Sequence, residues 1–390
     1  MTPQALKAEA ARAIDAVSPD LIDLSRALHA DPERSGQEHR ASARLIASLR
    51  AHGFEVETPL AGLPTAFVAK VRGRRPGPAI GLVAEYDALP EVGHGCAHNL
   101  IAAGHLGAAV GVKEVLGALP GELWLFGTPS EEDGAGKVEL VKASAFSSVD
   151  ACLMFHPYTE TILLRRDLAL SEMEFTFFGR SAHSAVDPWR GRNALDGVLL
   201  THAAVNSLRQ YVKPEARIHG IVTHGGDSTN VVCERAATRF VIRAFDEAYL
   251  RELHQRVLDC ARGAALASGT RLEALERERL PGTRFNRALE DVVRGNLLAL
   301  GTPPRENASC YGSTDFGALS RCVPASWFFV GTHPEGTPWH SAEAAGLSVS
   351  ERAHQGMLLG AKAIAWTAID LLTSPELVAA VNAEFRQASS

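Results

Sequence analysis

The sequence predicts an α/β protein of two domains. One is a mostly parallel mixed sheet with helices on both faces; the other is an inserted α/β sandwich. Three observations predict this. Short, largely apolar runs at Ala79 to Ala84, Glu122 to Phe126 and Ala151 to Phe155 alternate with helical stretches, the pattern of strands buried on both faces. From Ser171 the pattern changes, and Met173, Phe175 and Phe177 alternate with Glu172, Glu174 and Thr176, as in a strand with one face in water. The length of 390 residues favours two cores over one.

Taken in order, Leu21, Leu24 and Leu28, then Ala41, Leu45, Ile46 and Leu49, recur at helical spacing. Gly53 ends that region, and strands follow near 54–56 and 66–71. After the strand to Ala84 comes a helix from about Asn99 to Leu116, rich in Ala and Gly and so able to pack closely. The inserted part reads strand, helix (Asn193 to Tyr211), strand (217–223), strand (236–244), helix (248–268), strand (271–278). A core strand at Ser326 to Val330 and a terminal helix from Glu351 complete the chain. The expected division is 1–169 and 281–390 for the catalytic domain and 170–280 for the insertion.

Hydrophobic residues make up 46% of the chain and charged residues 22%, an ordinary globular balance. The net charge of −6 argues against a nucleic-acid partner, which selects a basic surface. The N-terminal stretch carries Lys7, Glu9 and Arg12 and lacks a signal-peptide apolar region, and no apolar run reads as a membrane span. The six cysteines, Cys96, Cys152, Cys233, Cys260, Cys310 and Cys322, have no disulfide spacing. They are expected to be the reduced thiols of a cytoplasmic protein.

The candidate chemistry lies where the buried strands end. Gly-His-Gly-Cys-Ala-His-Asn places Cys96 and His98 two residues apart, Gly-Thr-Pro-Ser-Glu-Glu places Glu131 and Glu132 after the second strand, Phe-His-Pro places His156 after the third, and Thr-Pro-Trp-His-Ser places His340 late in the chain. Each has a plain reading by itself: a small buried thiol, solvated acids, a histidine in a turn. Together they supply thiolate, imidazole and carboxylate donors for divalent ions at the strand ends where α/β proteins place their sites. Amide hydrolysis needs an activated water, a polarised carbonyl and a proton for the leaving nitrogen. Two ions can provide the first two, and a carboxylate beside the water the third.

Ala-Glu-Tyr-Asp-Ala-Leu-Pro, the Cys-x-His segment, Gly-Thr-Pro-Ser-Glu-Glu, Phe-His-Pro, Gly-Arg-Ser-Ala-His-Ser-Ala and Ser-Thr-Asp-Phe-Gly stand in the order found in the aminoacylase/carboxypeptidase metallopeptidases, which the chain resembles from about Leu24 to about Gly346. The Cys-x-His pair resembles the amidohydrolase branch, with its aminobenzoyl-glutamate hydrolases, auxin-conjugate hydrolases and aminoacylase-like dipeptidases. The resemblance implies Cys96, His98, Glu132, His156 and His340 as ligands of two divalent ions, Zn²⁺ or Mn²⁺, and Glu131 as general base. It implies that the insertion is a lid that dimerises, with His183 reaching a partner's active site to stabilise the oxyanion. Asn230 and Arg243 would bind the substrate's free carboxylate, and Gly312, Ser313 and Thr314 would form a wall of the pocket, with Asp315 orienting a neighbour. Tyr158, Trp189 and Phe316 are aromatic candidates for that pocket.

The implied activity is metal-dependent cleavage of N-acyl amino acids or dipeptide-like amides, with a free-amine dipeptidase or a non-catalytic binding protein as alternatives. One departure stands out. Members of the family it resembles commonly read Gly-His-Ala-Cys-Gly-His-Asn, whereas here Gly95 and Ala97 are exchanged around the cysteine. Ala97 would then lack the freedom of glycine if that position requires positive φ.

Overall fold

The computed structural model describes residues 1–163, 167–306 and 312–387; Cys310 lies outside them. Two compact units emerge: 1–165 with 284–309 and 318–390, and 166–283 with 310–317. Segment 310–317, which the sequence reading places in the catalytic domain, clusters with the second unit. Within that unit Leu168 N donates to Gly312 O at 2.9 Å.

The first unit opens with three helices, α1 (Pro3–Ala16), α2 (Ser18–Ala30) and α3 (His39–Ala51). Strands β1 (Glu55–Glu57), β2 (Phe67–Arg72) and β3 (Arg75–Ala84) follow, then α4 (His98–Leu116), β4 (Pro120–Gly127), α5 (Gly136–Lys142), β5 (Ala151–Tyr158) and β6 (Ile162–Leu163). The second unit holds β7 (Ala169–Phe178), α6 (Ala194–Leu208), β8 (Arg217–His224), β9 (Arg235–Ala244), α7 (Glu247–Ser268) and β10 (Arg271–Leu280). The chain continues through α8 (Arg287–Ala299), β11 (Arg305–Glu306), α9 (Phe316–Leu319), β12 (Ala325–Gly331), α10 (Ala342–Leu347), α11 (Glu351–Thr373) and α12 (Pro375–Gln387).

The large sheet has the order β1-β2-β4-β3-β5-β12-β6-β11. Its centre, β4-β3-β5-β12, is parallel, and antiparallel pairs flank it at β2 and β6. Against this centre packs α4, buried at every residue except Lys113 and Glu114. Such all-round burial suits its Ala/Gly-rich sequence: a Cβ on Gly104 would stand 2.4 Å from the Phe155 ring on β5. Beside α4 lies α11, which by length and composition could cross a membrane, a run the sequence reading does not register. Here it is a core helix, with Met357, Ala361, Ile364, Ala368 and Leu372 fully buried or nearly so.

The second unit has the expected strand-helix-strand-strand-helix-strand order. Its sheet, β10-β7-β9-β8, is antiparallel throughout. Alternation along β7 buries Met173, Phe175 and Phe177 against α6 and α7 residues such as Val198, Leu253 and Val257. The opposite face carries charge, with Arg277 Nη1 2.9 Å from Glu174 Oε2 and Arg239 Nε 3.3 Å from Glu172 Oε1.

Candidate metal centre

The centre is built at the carboxyl ends of β3, β4 and β5. As β3 leaves the sheet, Glu85 and Asp87 follow, both nearly fully buried. The next loop brings the chain to α4 through Cys96 and Ala97. Ala97 is the N-cap of α4 at φ 59°, ψ 33°, the left-handed region that costs a non-glycine residue roughly 1–2 kcal/mol. The exchanged alanine therefore does occupy a strained position. Its partner in the exchange has the opposite need: a Cβ on Gly95 would lie 2.6 Å from Val92 Cγ1 and 3.3 Å from His340 Cα. Backbone contact follows from that closeness, since His340 N donates to Gly95 O at 3.2 Å.

His98 is the first residue of α4 and is fully buried. Its Nδ1 lies 3.0 Å from both the backbone O and Oδ1 of Asp87. Both partners accept, so Nδ1 carries the ring hydrogen and Nε2 is left as the donor atom for a metal. Asp87 is itself fixed, because its Oδ2 accepts from Ser35 Oγ at 2.7 Å and from Glu132 N at 2.9 Å. Burial alone would raise the Asp87 carboxyl, but the hydrogen bonds it accepts from His98, Glu132 and Ser35 hold it well below the usual range. The same carboxylate thus orients one expected ligand through its ring and another through its backbone.

The other expected ligands converge on His98. Cys96 Sγ lies 3.6 Å from His156 Nε2, and His156 Nδ1 donates to Pro157 O at 2.7 Å, again leaving Nε2 for a metal. Glu132 stands between two histidines, with Oε1 3.8 Å from His98 Nε2 and Oε2 3.6 Å from His340 Nε2. Glu131 Oε2 lies 4.0 Å from His98 Nε2. Three donor sets each fit within 4.8 Å: Cys96, His98 and His156; Cys96, Glu132 and His340; Glu85, His98 and Glu131. His98 Nε2 and Glu132 Oε1 are buried without a hydrogen-bond partner among the described residues. Buried polar atoms left so are costly, and divalent ions would satisfy both. Burial, with the Glu132 charge, pushes the Cys96 thiol well above its ordinary value, so it would serve as a thiolate ligand only beside a cation.

Two placements differ from the sequence reading. His156 does not follow its strand but lies inside β5, which stays extended because β12 pairs with it as far as Tyr158. Trp327, Phe329 and Trp339 surround the ring edge-on. His340 sits at φ 58°, just after Trp339, which stacks on Tyr158 at 5.6 Å. Of the aromatic pocket candidates, Tyr158 belongs to this cluster, Phe316 is fully buried and Trp189 is 73% exposed. The sequence reading uses Ala-Glu-Tyr-Asp only as a motif and so misses Glu85 and Asp87. It also misses Lys137, whose Nζ lies 2.6 Å from Glu85 Oε1. Acids closing an otherwise apolar strand were the available signal; nothing local marks Lys137.

In the second unit His183 is exposed. Its Nδ1 accepts from Ala185 N and Val186 N at 3.2 Å, so Nε2 carries the ring hydrogen. Asn230 Nδ2, also a donor, lies 3.4 Å away, and the amide oxygen must turn to Nε2 for the two to bond. Arg243 Nη1 donates to Ser313 Oγ at 3.1 Å. Thr314 is buried and its hydroxyl accepts from Phe316 N at 3.2 Å; Asp315 is fully buried.

A cluster of thiol, imidazole and carboxylate donors at the mouth of a parallel sheet, with a carboxylate beside it, defines a metallohydrolase. The sequence family described as "Peptidase dimerisation domain" matches residues 169–267. The mouse Xaa-Arg dipeptidase is 36% identical, over 98% of this chain and 92% of its own length. A p-aminobenzoyl-glutamate hydrolase chain of Escherichia coli K12 is 28% identical, over 96% and 94%. Among solved structures, the YxeP protein of Bacillus subtilis, described as a dinuclear metal-binding peptidase of the M20 family, superposes with a TM-score of 0.70 at 19% identity, covering 92% of this chain and 99% of its own. The chain belongs to the M20 peptidase family and is a hydrolase of amide and peptide bonds.

Proposed function

We propose that the chain is a metal-dependent amidohydrolase that releases a free amino acid from a dipeptide or an N-acyl amino acid. The observation that carries this reading is the convergence of Cys96, His98, Glu132, His156 and His340 with a second glutamate, Glu131, left beside them. A site that only binds a metal has no use for that spare carboxylate. The five residues would hold two divalent ions, Zn²⁺ or Mn²⁺ by donor chemistry. When bound, such ions supply an acidified water and a Lewis acid for the carbonyl. Glu131 takes the proton from the attacking water and delivers it to the leaving nitrogen. Its neighbour Glu132 is tethered through its backbone to Asp87.

His183 would stabilise the oxyanion from a partner subunit, and Asn230 and Arg243 would hold the substrate's carboxylate, for which a guanidinium is the fitting donor. Gly312, Ser313 and Thr314 would line the pocket. A homodimer is favoured by exposed apolar residues on the second unit, Leu199, Leu200, Tyr211, Ile221 and Val222, the last two on the sheet-edge strand β8. The thiols of the described cysteines are all free, which suits a cytoplasmic setting.

The dipeptidase form of the reading draws support from the mouse and human Xaa-Arg dipeptidases, at 36% and 35% identity. Rates on dipeptides ending in arginine, on their N-acetylated forms and on N-acyl arginines, with Zn²⁺, Mn²⁺ or Co²⁺, test both forms. Faster cleavage of the free-amine dipeptides supports a dipeptidase. Equal or faster cleavage after acetylation supports an aminoacylase, and no turnover with any metal overturns the catalytic reading.

A further inference from the structure

We propose that Glu85, oriented by Lys137, is an additional metal ligand, donating to the ion that His98 would hold; this rests on the metal-centre reading above. Of the carboxylates around His98 Nε2, Glu85 is nearest, with Oε2 at 3.4 Å against 3.8 Å for Glu132 Oε1 and 4.0 Å for Glu131 Oε2. Two donors bound tetrahedrally to one ion at about 2.0–2.1 Å stand roughly 3.4 Å apart. The pair Glu85 and His98 already has that separation. His98 Nε2 is fully buried and has no hydrogen-bond partner among the described residues, so an atom that needs a ligand faces the same space.

Lys137 explains why Glu85 points there. It lies in the first turn of α5, just after the Glu131-Glu132 turn, and is fully buried. Its ammonium holds Glu85 Oε1 at 2.6 Å, while Oε2 of the same carboxylate lies on the His98 side. A buried ion pair is a poor means of stabilising a fold, since an apolar pair of similar volume often does as well or better. What the pair provides here is orientation and charge balance. Lys137 cancels the Glu85 charge, so the site gains an oxygen donor without gaining net negative charge beside Asp87, Glu131 and Glu132.

The test measures metal rather than turnover. Zn²⁺ and Mn²⁺ bound per subunit are counted by equilibrium dialysis, and Zn²⁺ affinity is read by competition with a chromophoric chelator. The variants are Glu85→Gln and the double variant Glu85→Gln/Lys137→Met. The single variant strands a buried ammonium and is expected to fold poorly, whereas the double variant removes both charges and decides the question. The expected result is Zn²⁺ binding weaker by about tenfold or more at one of the two sites, the scale seen when a metal's supporting residues are lost, in a double variant that unfolds cooperatively like the wild type. A folded double variant with wild-type stoichiometry and affinity overturns the proposal. A wild-type protein that binds neither ion tightly overturns the metal-centre reading itself, and this inference with it.

Discussion

The expected ligands and the expected substrate-binding residues of the second unit are held in opposite ways. Around the metal centre His98 and His156 are buried, Cys96 and Glu132 half-buried and His340 exposed. The two buried rings are each oriented by a second group, His98 by Asp87, which Ser35 and Glu132 fix in turn, and His156 by the Pro157 carbonyl. His183 and Asn230 are exposed, on two different loops, and His183 is held by backbone contacts of 3.2 Å. Metal ligands must keep one geometry for any ion to bind well, and networks of this kind provide it. Residues that recognise a substrate need only reach the right geometry when it arrives. Lost ligand support is therefore expected to lower metal affinity, and lost substrate contacts to raise KM.

The sharpest way to break this contrast is Glu131→Gln. It should abolish turnover, by about a thousandfold or more, at the upper part of the range for loss of a general base, while metal content stays at the wild-type level. Near-normal turnover would remove Glu131 from its role. Asp87→Asn tests the buried side of the comparison. It replaces the carboxylate that orients His98 and should weaken Zn²⁺ binding about 10–100-fold, read by chelator competition; an unchanged affinity would mean that the Asp87 network is not what orients the ligands.

Arg243→Ala tests the second unit, where Arg243 is half-buried and bonded to Ser313. The KM for substrates with a free C-terminal carboxylate should rise by roughly tenfold or more, with little change in kcat, while C-terminally amidated substrates respond equally to both proteins. A parallel loss on amidated substrates would deny Arg243 its recognition role. Mixed dimers of His183→Ala and Glu131→Gln subunits should recover part of the activity that each lacks alone if the histidine acts across subunits. Persistent inactivity of the mixture would count against that.

How much of this was legible in the sequence follows from how locally each feature is encoded. Strand and helix identities came through because burial writes itself as period: the alternation over Met173, Phe175 and Phe177 is the alternation of β7. The expected ligands could be named because their motifs are contiguous. Glu85 and Lys137 did not, since what joins them is the packing of α5 against the end of β3, more than fifty residues apart in sequence. His105 was equally silent. It looks like one more residue of an apolar helix, yet its Nε2 accepts the Phe155 N–H at 3.3 Å, beyond Leu82↔Leu153, the last pairing of β3 with β5. Its Nδ1–H donates to Ile101 O at 2.7 Å.

His105 and Ala97 give the smaller predictions on the buried side. Burial pushes the His105 imidazole down to about 4, below the ordinary value near 6.5. The unfolded chain therefore binds a proton that the folded one refuses between about pH 6.5 and 4, and stability falls as pH drops through that window. His105→Gln should make the fall in thermal midpoint shallower by about one proton's worth, and an unaltered slope would show that His105 is not a source of acid sensitivity. Ala97→Gly should stabilise the protein by about 1 kcal/mol by relieving the left-handed alanine, measured by denaturant unfolding; a loss of stability would mean the strain lies elsewhere. Gly95→Ala should do the reverse, because its methyl group would press on Val92 and His340.

The hydrogen bond from His340 N to Gly95 O also sets an order in time. One end belongs to the first third of the chain and the other to its last stretch, with the whole inserted unit made between them. A nascent chain can present Cys96, His98, Glu132 and His156 long before it can present His340. If these residues hold the ions as proposed, full metal loading has to wait until synthesis has passed the insertion and reached His340.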